Sequence, residues 1–181
     1  ANGSGSTTQT VTITLLSLPA ANAGADITIC QSASTTLNAS GGGTYLWNTF
    51  QSTASINVVL TQTTSYSVIV TSGNCTDTAN VNVIVNSLPT ANAGADVTIP
   101  IGSGTILNST GGTSYNWSPS TGLSCTNCQN PTANPPVTTD YIVIVTDANG
   151  CTDIDTVNVF VDNTCKELYL PNAFSPNADT E

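Results

Sequence analysis

Apolar and polar residues alternate along most of the chain. Over 65–71 the order is Ser-Tyr-Ser-Val-Ile-Val-Thr, and over 140–146 it is Asp-Tyr-Ile-Val-Ile-Val-Thr. A period of two places successive side chains on opposite faces of a strand. Gly, Asn, Pro and Ser punctuate the runs, and no stretch carries a helical period. The pattern predicts strands at 26–30, 35–39, 44–48, 55–60, 65–71 and 78–86, then at 96–99, 105–109, 113–117, 139–146 and 154–162. Short strands at this spacing predict an all-β sandwich. The inward positions are Tyr66, Val68 and Val70 with Val81, Val83 and Val85, and Tyr141, Val143 and Val145 with Val157, Val159 and Val161. Trp47 and Trp117 are the natural plugs between the sheets.

The same pattern occurs twice. "LPAANAGAD" (18–26) returns as "LPTANAGAD" (88–96), and Trp47 returns as Trp117, both 70 positions on. "SYSVIVT" (65–71) returns as "DYIVIVT" (140–146), and "CTDTANVNVIVN" (75–86) as "CTDIDTVNVFVD" (151–162). The second copy is lengthened by the loop "SPSTGLSCTNCQNPTANPP" (118–136). The repeats are therefore 18–87 and 88–163. The flanks look like pieces of the same design. "TQTVTITLLSLP" (8–19) resembles "TANVNVIVNSLP" (78–89), so 1–17 reads as the last strand of a preceding repeat. A third Leu-Pro, Leu170-Pro171, makes 164–181 a linker and the first strand of a following domain. A lone strand leaves its backbone groups unpaired. Three origins are open: a cut from a longer chain, disordered ends, or strands that complete sandwiches in neighbouring molecules.

Composition narrows the partners. Charged residues are 7% of the chain, against a typical ~25%, and the formal net charge is −10. Lys166 is the single cation, with no Arg, His or Met. Binding nucleic acid requires cations to neutralise phosphates, so nucleic acid is excluded as a partner. An anionic membrane surface is disfavoured for the same reason, and no apolar run of 18 residues predicts membrane insertion. Catalysis has few candidates: there is no His for base duty and no Ser/His/Asp set, so the chain reads as non-enzymatic, with no cofactor.

Six cysteines without histidines point to disulfides in an oxidising, extracellular setting rather than to zinc. Cys30 ends the first strand and Cys75 precedes the last, so these two are expected to bond. The bridge would close a loop of 46 residues (30 to 75), worth roughly 4 kcal/mol in the chain-entropy account. Cys125 and Cys128 are expected to bridge locally. Cys151 and Cys165 flank the last strand, and either join each other or pair between molecules. Asp153 and Asp155 share a strand face and lie near Asp147, which makes the three a candidate for calcium.

The motifs "LPxANAGADxTI", "GGTSYNWSPSTGLSCTNCQNPTANP", "TDYIVIVTDANGCTD" and "VNVFVD" resemble the PKD-like/Ig-like tandem repeats of Bacteroidota gliding-motility-associated surface proteins. The resemblance covers nearly the whole chain. The tail "LYLPNAFSPNADTE" (168–181) resembles the start of the C-terminal sorting domain used in type IX secretion, with Ala178 where that pattern has Gly. The resemblance implies two tandem Ig-like sandwiches on the cell surface, with a role in adhesion, gliding or fibre formation. It also implies O-glycosylation at Thr78 and Thr156, each of which follows an Asp and precedes an apolar residue. Such repeats usually alternate Val with Thr. Here the outward positions carry Ile69, Ile84, Ile142, Ile144 and Phe160, and this face is expected to pack on another subunit or repeat.

Two further functions compete with a structural fibre or stalk that assembles by strand donation and an apolar face. One is an adhesin module that grips surface glycans, which predicts an exposed aromatic platform; loop 118–136 has no aromatic residue. The other is an accessory domain of a secreted polysaccharide-degrading enzyme.

Overall fold

A computed structural model describes residues 5, 8–11 and 17–164. The expected flanking strands, within 1–17 and 165–181, lie largely outside the described residues, and Cys165 lies wholly outside them. The chain divides into two compact units, the first ending at Ser87 and the second beginning at Leu88. The fold is all-β, two Ig-like sandwiches in tandem.

In the first unit, β1 (Ile27–Cys30), β6 (Cys75–Asn86), β5 (Thr64–Ser72) and β3 (Thr44–Trp47) form one sheet in that spatial order. The facing sheet pairs β2 (Ser34–Asn38) with β4 (Ser55–Val59). The β5–β6 hairpin zips to its tip, Ser72 against Cys75, across a Gly73-Asn74 turn with Gly73 at φ 60°. A two-residue turn with positive φ matches the right-handed twist of the flanking strands.

The second unit repeats the plan with β7 (Val97–Pro100), β12 (Thr152–Asp162), β11 (Thr139–Thr146) and β9 (Ser114–Ser118). Its facing sheet is reduced to β8 (Thr105–Ile106) and β10 (Thr132–Ala133). β10 is a strand that the alternation in 118–136 did not reveal. It lies inside the long loop and takes the place that β4 holds in the first unit.

The inward valines and tyrosines fill the two cores, except Val85, which is only half-buried. Each fully buried Val contributes about 1.5–3 kcal/mol. Trp47 and Trp117 are buried. Their indole N–H groups donate to the Thr53 and Cys128 carbonyls at 3.0 and 3.1 Å, so neither leaves a polar atom unsatisfied. The Tyr141 hydroxyl donates to the Thr121 carbonyl at 2.6 Å, which fastens the long loop to the core.

The first strand of each unit runs parallel to the last. Ile27 lies beside Val83 and Cys30 beside Asn86; Val97 lies beside Val159 and Pro100 beside Asp162. This overturns the expected Cys30–Cys75 bridge. Cys75 opens β6, eleven residues before Asn86 (86 minus 75). At ~3.3 Å per residue that is about 36 Å of strand, against the ~4–7 Å between Cα atoms that a disulfide requires. Cys75 is a free thiol, whereas Cys30 and Cys151 are both disulfide-bonded.

Candidate functional site

The repeated "ANAGAD" and "CTD" motifs meet in space. In the first unit, Asp77 Oδ2 accepts the Ala21 amide at 2.8 Å. Asp26 accepts both the backbone amide and the side-chain Nδ2 of Asn82, at 2.8 and 3.0 Å. In the second unit, Asp153 accepts the Ala91 amide at 2.9 Å, and Asp96 accepts both groups of Asn158 at 2.8 and 3.2 Å. The second unit adds a strap: Asp155 Oδ2 accepts the Ala93 amide at 2.8 Å, where the first unit has Ala79. These carboxylates hold the incoming segment against the last strand and so fix the parallel register. Donation from Asn82 holds the Asp26 carboxyl below its ordinary value, and donation from Asn158 does the same to Asp96.

The straps use the groups that had suggested calcium. Asp153 and Asp155 are turned to backbone amides, and Asp147 Oδ1 accepts the Asn149 and Cys151 amides within its own hairpin turn. No group of three or more metal-ligating side chains exists among the described residues. The calcium candidate therefore falls, because each carboxylate already closes a piece of backbone.

Glycines complete the same junction. Asn22 bridges Ser40, and Asn92 bridges Thr110. The incoming backbone therefore passes directly over Gly41 and Gly111. A Cβ at Gly111 would lie 2.0 Å from the Thr90 carbonyl oxygen, and one at Gly41 would lie 2.6 Å from that of Ala20.

Loop 118–136 is a built element. Cys125 and Cys128 are joined by a disulfide. The Trp117 amide donates to Thr126 O, and Ser109, buried, donates its hydroxyl to Gln129 O at 2.6 Å.

The outward apolar residues stay on the surface of their own units. Ile69, Ile84, Ile142, Ile144 and Phe160 are each 39–45% exposed. Thr78 and Thr156 are exposed on the same faces: Thr78 lies directly across from Ile69, and Thr156 from Ile142.

One surface residue was missed in the sequence. Phe50, in "NTFQST" (48–53), is 90% exposed at the tip between β3 and β4. Its sequence signal is an aromatic inside a hydroxyl- and amide-rich turn.

No family model matches the chain, and no curated protein matches it. Solved structures resemble it in fold. The titin domains Z1Z2 in complex with telethonin align over 84% of this chain and all of theirs, at 14% identity and a TM-score of 0.35. Extracellular domains 3–5 of Drosophila OTK align over 81% of this chain and 60% of theirs, at 10% identity and 0.41. The insect immune protein hemolin, whose domain arrangement was described with implications for homophilic adhesion, aligns over 80% of this chain and 47% of its own, at 13% identity and 0.42. Among the described residues no helix is long and apolar enough to cross a membrane.

Proposed function

We propose that this chain is a non-enzymatic structural segment of an extracellular fibre or stalk on a bacterial surface. The carrying observation is the tandem repetition of one small sandwich, each copy strapped by its own carboxylates where chain enters and leaves it. Disulfides and a surface nearly free of Lys and Arg suit an oxidising, protease-rich exterior. The resemblance to Bacteroidota gliding-associated repeats, and of 168–181 to a type IX sorting domain, supports export to the cell surface. Copies join through their apolar outer faces or by strand donation between ends. The Ile142/Ile144 face is the first to test. Sedimentation velocity of the unreduced chain across a concentration series should show assembly, and Ile142→Asp with Ile144→Asp should weaken it. Assembly unchanged by both substitutions removes that face from the account.

The position of Thr78 and Thr156 supports a second use of these faces. A glycan on either hydroxyl would lie over the isoleucine opposite and compete with a protein partner there. Intact mass of native material decides it: hexose-sized increments lost on Thr78→Ala and Thr156→Ala support the glycan, and an unmodified mass rejects it.

A further inference from the structure

The smaller sheet of the first unit ends in an open edge. Ala39 N–H donates to Ala54 O at 2.7 Å, and the same register continues through Leu37 beside Ile56 and Thr35 beside Val58. Antiparallel pairs alternate between those that exchange backbone bonds and those that do not. Residues 54, 56 and 58 therefore bond toward β2, while Ser55, Asn57 and Val59 turn their N–H and C=O groups away from it. Among the described residues β4 pairs with β2 alone, and none bonds the outward backbone groups of Asn57 or Val59. Ser55 O accepts the Thr53 hydroxyl at 2.7 Å and keeps a second lone pair.

The second unit displays what such an edge accepts. Thr132 lies beside Ile106 as Asn57 lies beside Thr36, and Thr36 and Ile106 are equivalent at the 70-position offset of the repeats. There the chain's own segment 122–124 runs along the outer side of β10. Ser124 N–H donates to Thr132 O at 2.9 Å, Thr132 N–H to Ser124 Oγ at 2.9 Å, and Asn134 N–H to Gly122 O at 2.7 Å. Leu123 bridges Ala133 between them. The first unit links β3 to β4 by 48–54 alone and has no such segment.

Open edges template pairing with another chain, and are ordinarily blunted by charge, Pro, a bulge or a covering loop. Residues 53–60, Thr-Ala-Ser-Ile-Asn-Val-Val-Leu, carry no charge, Pro or Gly, and the β2–β4 register runs without a bulge. Two such edges can meet without setting like charges against each other, on a chain of net charge −10. The edge is also complementary to itself. With two copies antiparallel about an axis through Asn57, Asn57 meets the second copy's Asn57, and Ser55 meets the second copy's Val59. Each pair exchanges N–H and C=O in both directions, so every outward group on 55, 57 and 59 finds a partner. Two two-stranded sheets become one of four strands, which matches the four-stranded sheet that each faces.

We infer that the first units of two copies pair β4 to β4 across a two-fold axis, giving a continuous β2-β4-β4-β2 sheet. The contact is isologous, lies wholly within the first unit, and is used up at two copies. It goes beyond the fibre reading, since it uses neither the outer isoleucine faces nor the chain ends.

The test is sedimentation velocity with amide exchange read by NMR, on the full, unreduced chain. As copies associate, exchange at Asn57 and Val59 should slow, while Ile56 and Val58, which donate to β2, stay slow throughout. Asn57→Pro removes an outward N–H that β2 does not use. It should weaken dimerisation by roughly tenfold or more, the loss of about two backbone bonds. Asn57→Lys and Asn57→Asp each set like charges opposite one another across the axis, so each alone should weaken the dimer; an equal mixture should restore it, because opposite charges then meet. Circular dichroism and thermal unfolding establish that the variants fold, and the charge pair carries the test if Asn57→Pro does not. The inference is overturned if association leaves exchange at Asn57 and Val59 unchanged, or if the mixture dimerises no better than either charged variant. It is overturned equally if a folded Asn57→Pro associates like the natural chain; loss of that association on Ile142→Asp with Ile144→Asp would leave the fibre reading standing. A natural chain that stays monomeric at every concentration also overturns it, and leaves the edge to an extended segment of a different protein.

Discussion

Gly111→Ala tests the junction that defines each repeat. The new Cβ would sit 2.0 Å from Thr90 O and 2.8 Å from its carbonyl carbon. These are backbone atoms, so no rotamer change relieves the contact. The residue also has φ 113°, which costs an L side chain about 1–3 kcal/mol. Relief requires segment 90–92 to lift away. That breaks the paired Asn92–Thr110 backbone bonds, at 3.1 and 2.9 Å, and the strap from Asp153 to Ala91. Each is worth about 1 kcal/mol net. We expect a loss of about 4 kcal/mol from the second unit, a fall in Tm of about 15 °C or more for a domain of this size. Gly102→Ala is the control: its φ is 76° but a Cβ there meets nothing within 4 Å, so about 1 kcal/mol is expected. Urea titration followed by amide exchange at Val143 and Val157 reads the second unit, and at Val68 and Val81 the first. If Gly111→Ala costs no more than Gly102→Ala, the incoming segment does not hold the unit together as described.

Tyr141→Phe removes the 2.6 Å bond to Thr121 O and should cost about 1–2 kcal/mol in urea, with faster amide exchange in 121–124; an unchanged midpoint would mean the long loop is held by other contacts. Alkylation without reductant should label Cys75, while Cys30, Cys125, Cys128 and Cys151 react only after reduction, as read by peptide mass spectrometry; a disulfide-linked Cys30–Cys75 peptide pair would contradict the parallel register. Asp26 and Asp96 have lowered pKa values in the folded state, so their contribution is fully present above the ordinary carboxylate value of about 3.8 and is lost as pH falls through the lower folded one. Exchange protection at the Asn82 and Asn158 amides should hold at pH 5 and decline only below pH 4; a decline near pH 6 would point to some other group.

Most of the fold was legible because alternation reports which face is buried. The inward Tyr and Val positions of β5, β6, β11 and β12 follow from period two, Val85 excepted, and both tryptophans follow from their size. Strand direction was not legible, since a parallel neighbour and an antiparallel one carry the same alternation. That ambiguity placed Cys30 beside the wrong end of the last strand. It also left Asp153 and Asp155 looking like metal ligands, when the parallel approach supplies the Ala91 and Ala93 amides that occupy them. β10 was hidden because two residues are too few to show a period. Phe50 was visible as a residue, but its exposure depends on a turn geometry that composition does not encode.

We propose that two strapped sandwiches form the repeating segment of an extracellular fibre. The deciding measurement is electron microscopy of the unreduced chain at neutral pH and ~0.15 M salt, where charge repulsion beyond about 8 Å is screened. Unbranched filaments that lengthen with protein concentration are expected. Dispersed single particles at every concentration would rule out the self-assembling fibre and leave a segment of a continuous stalk.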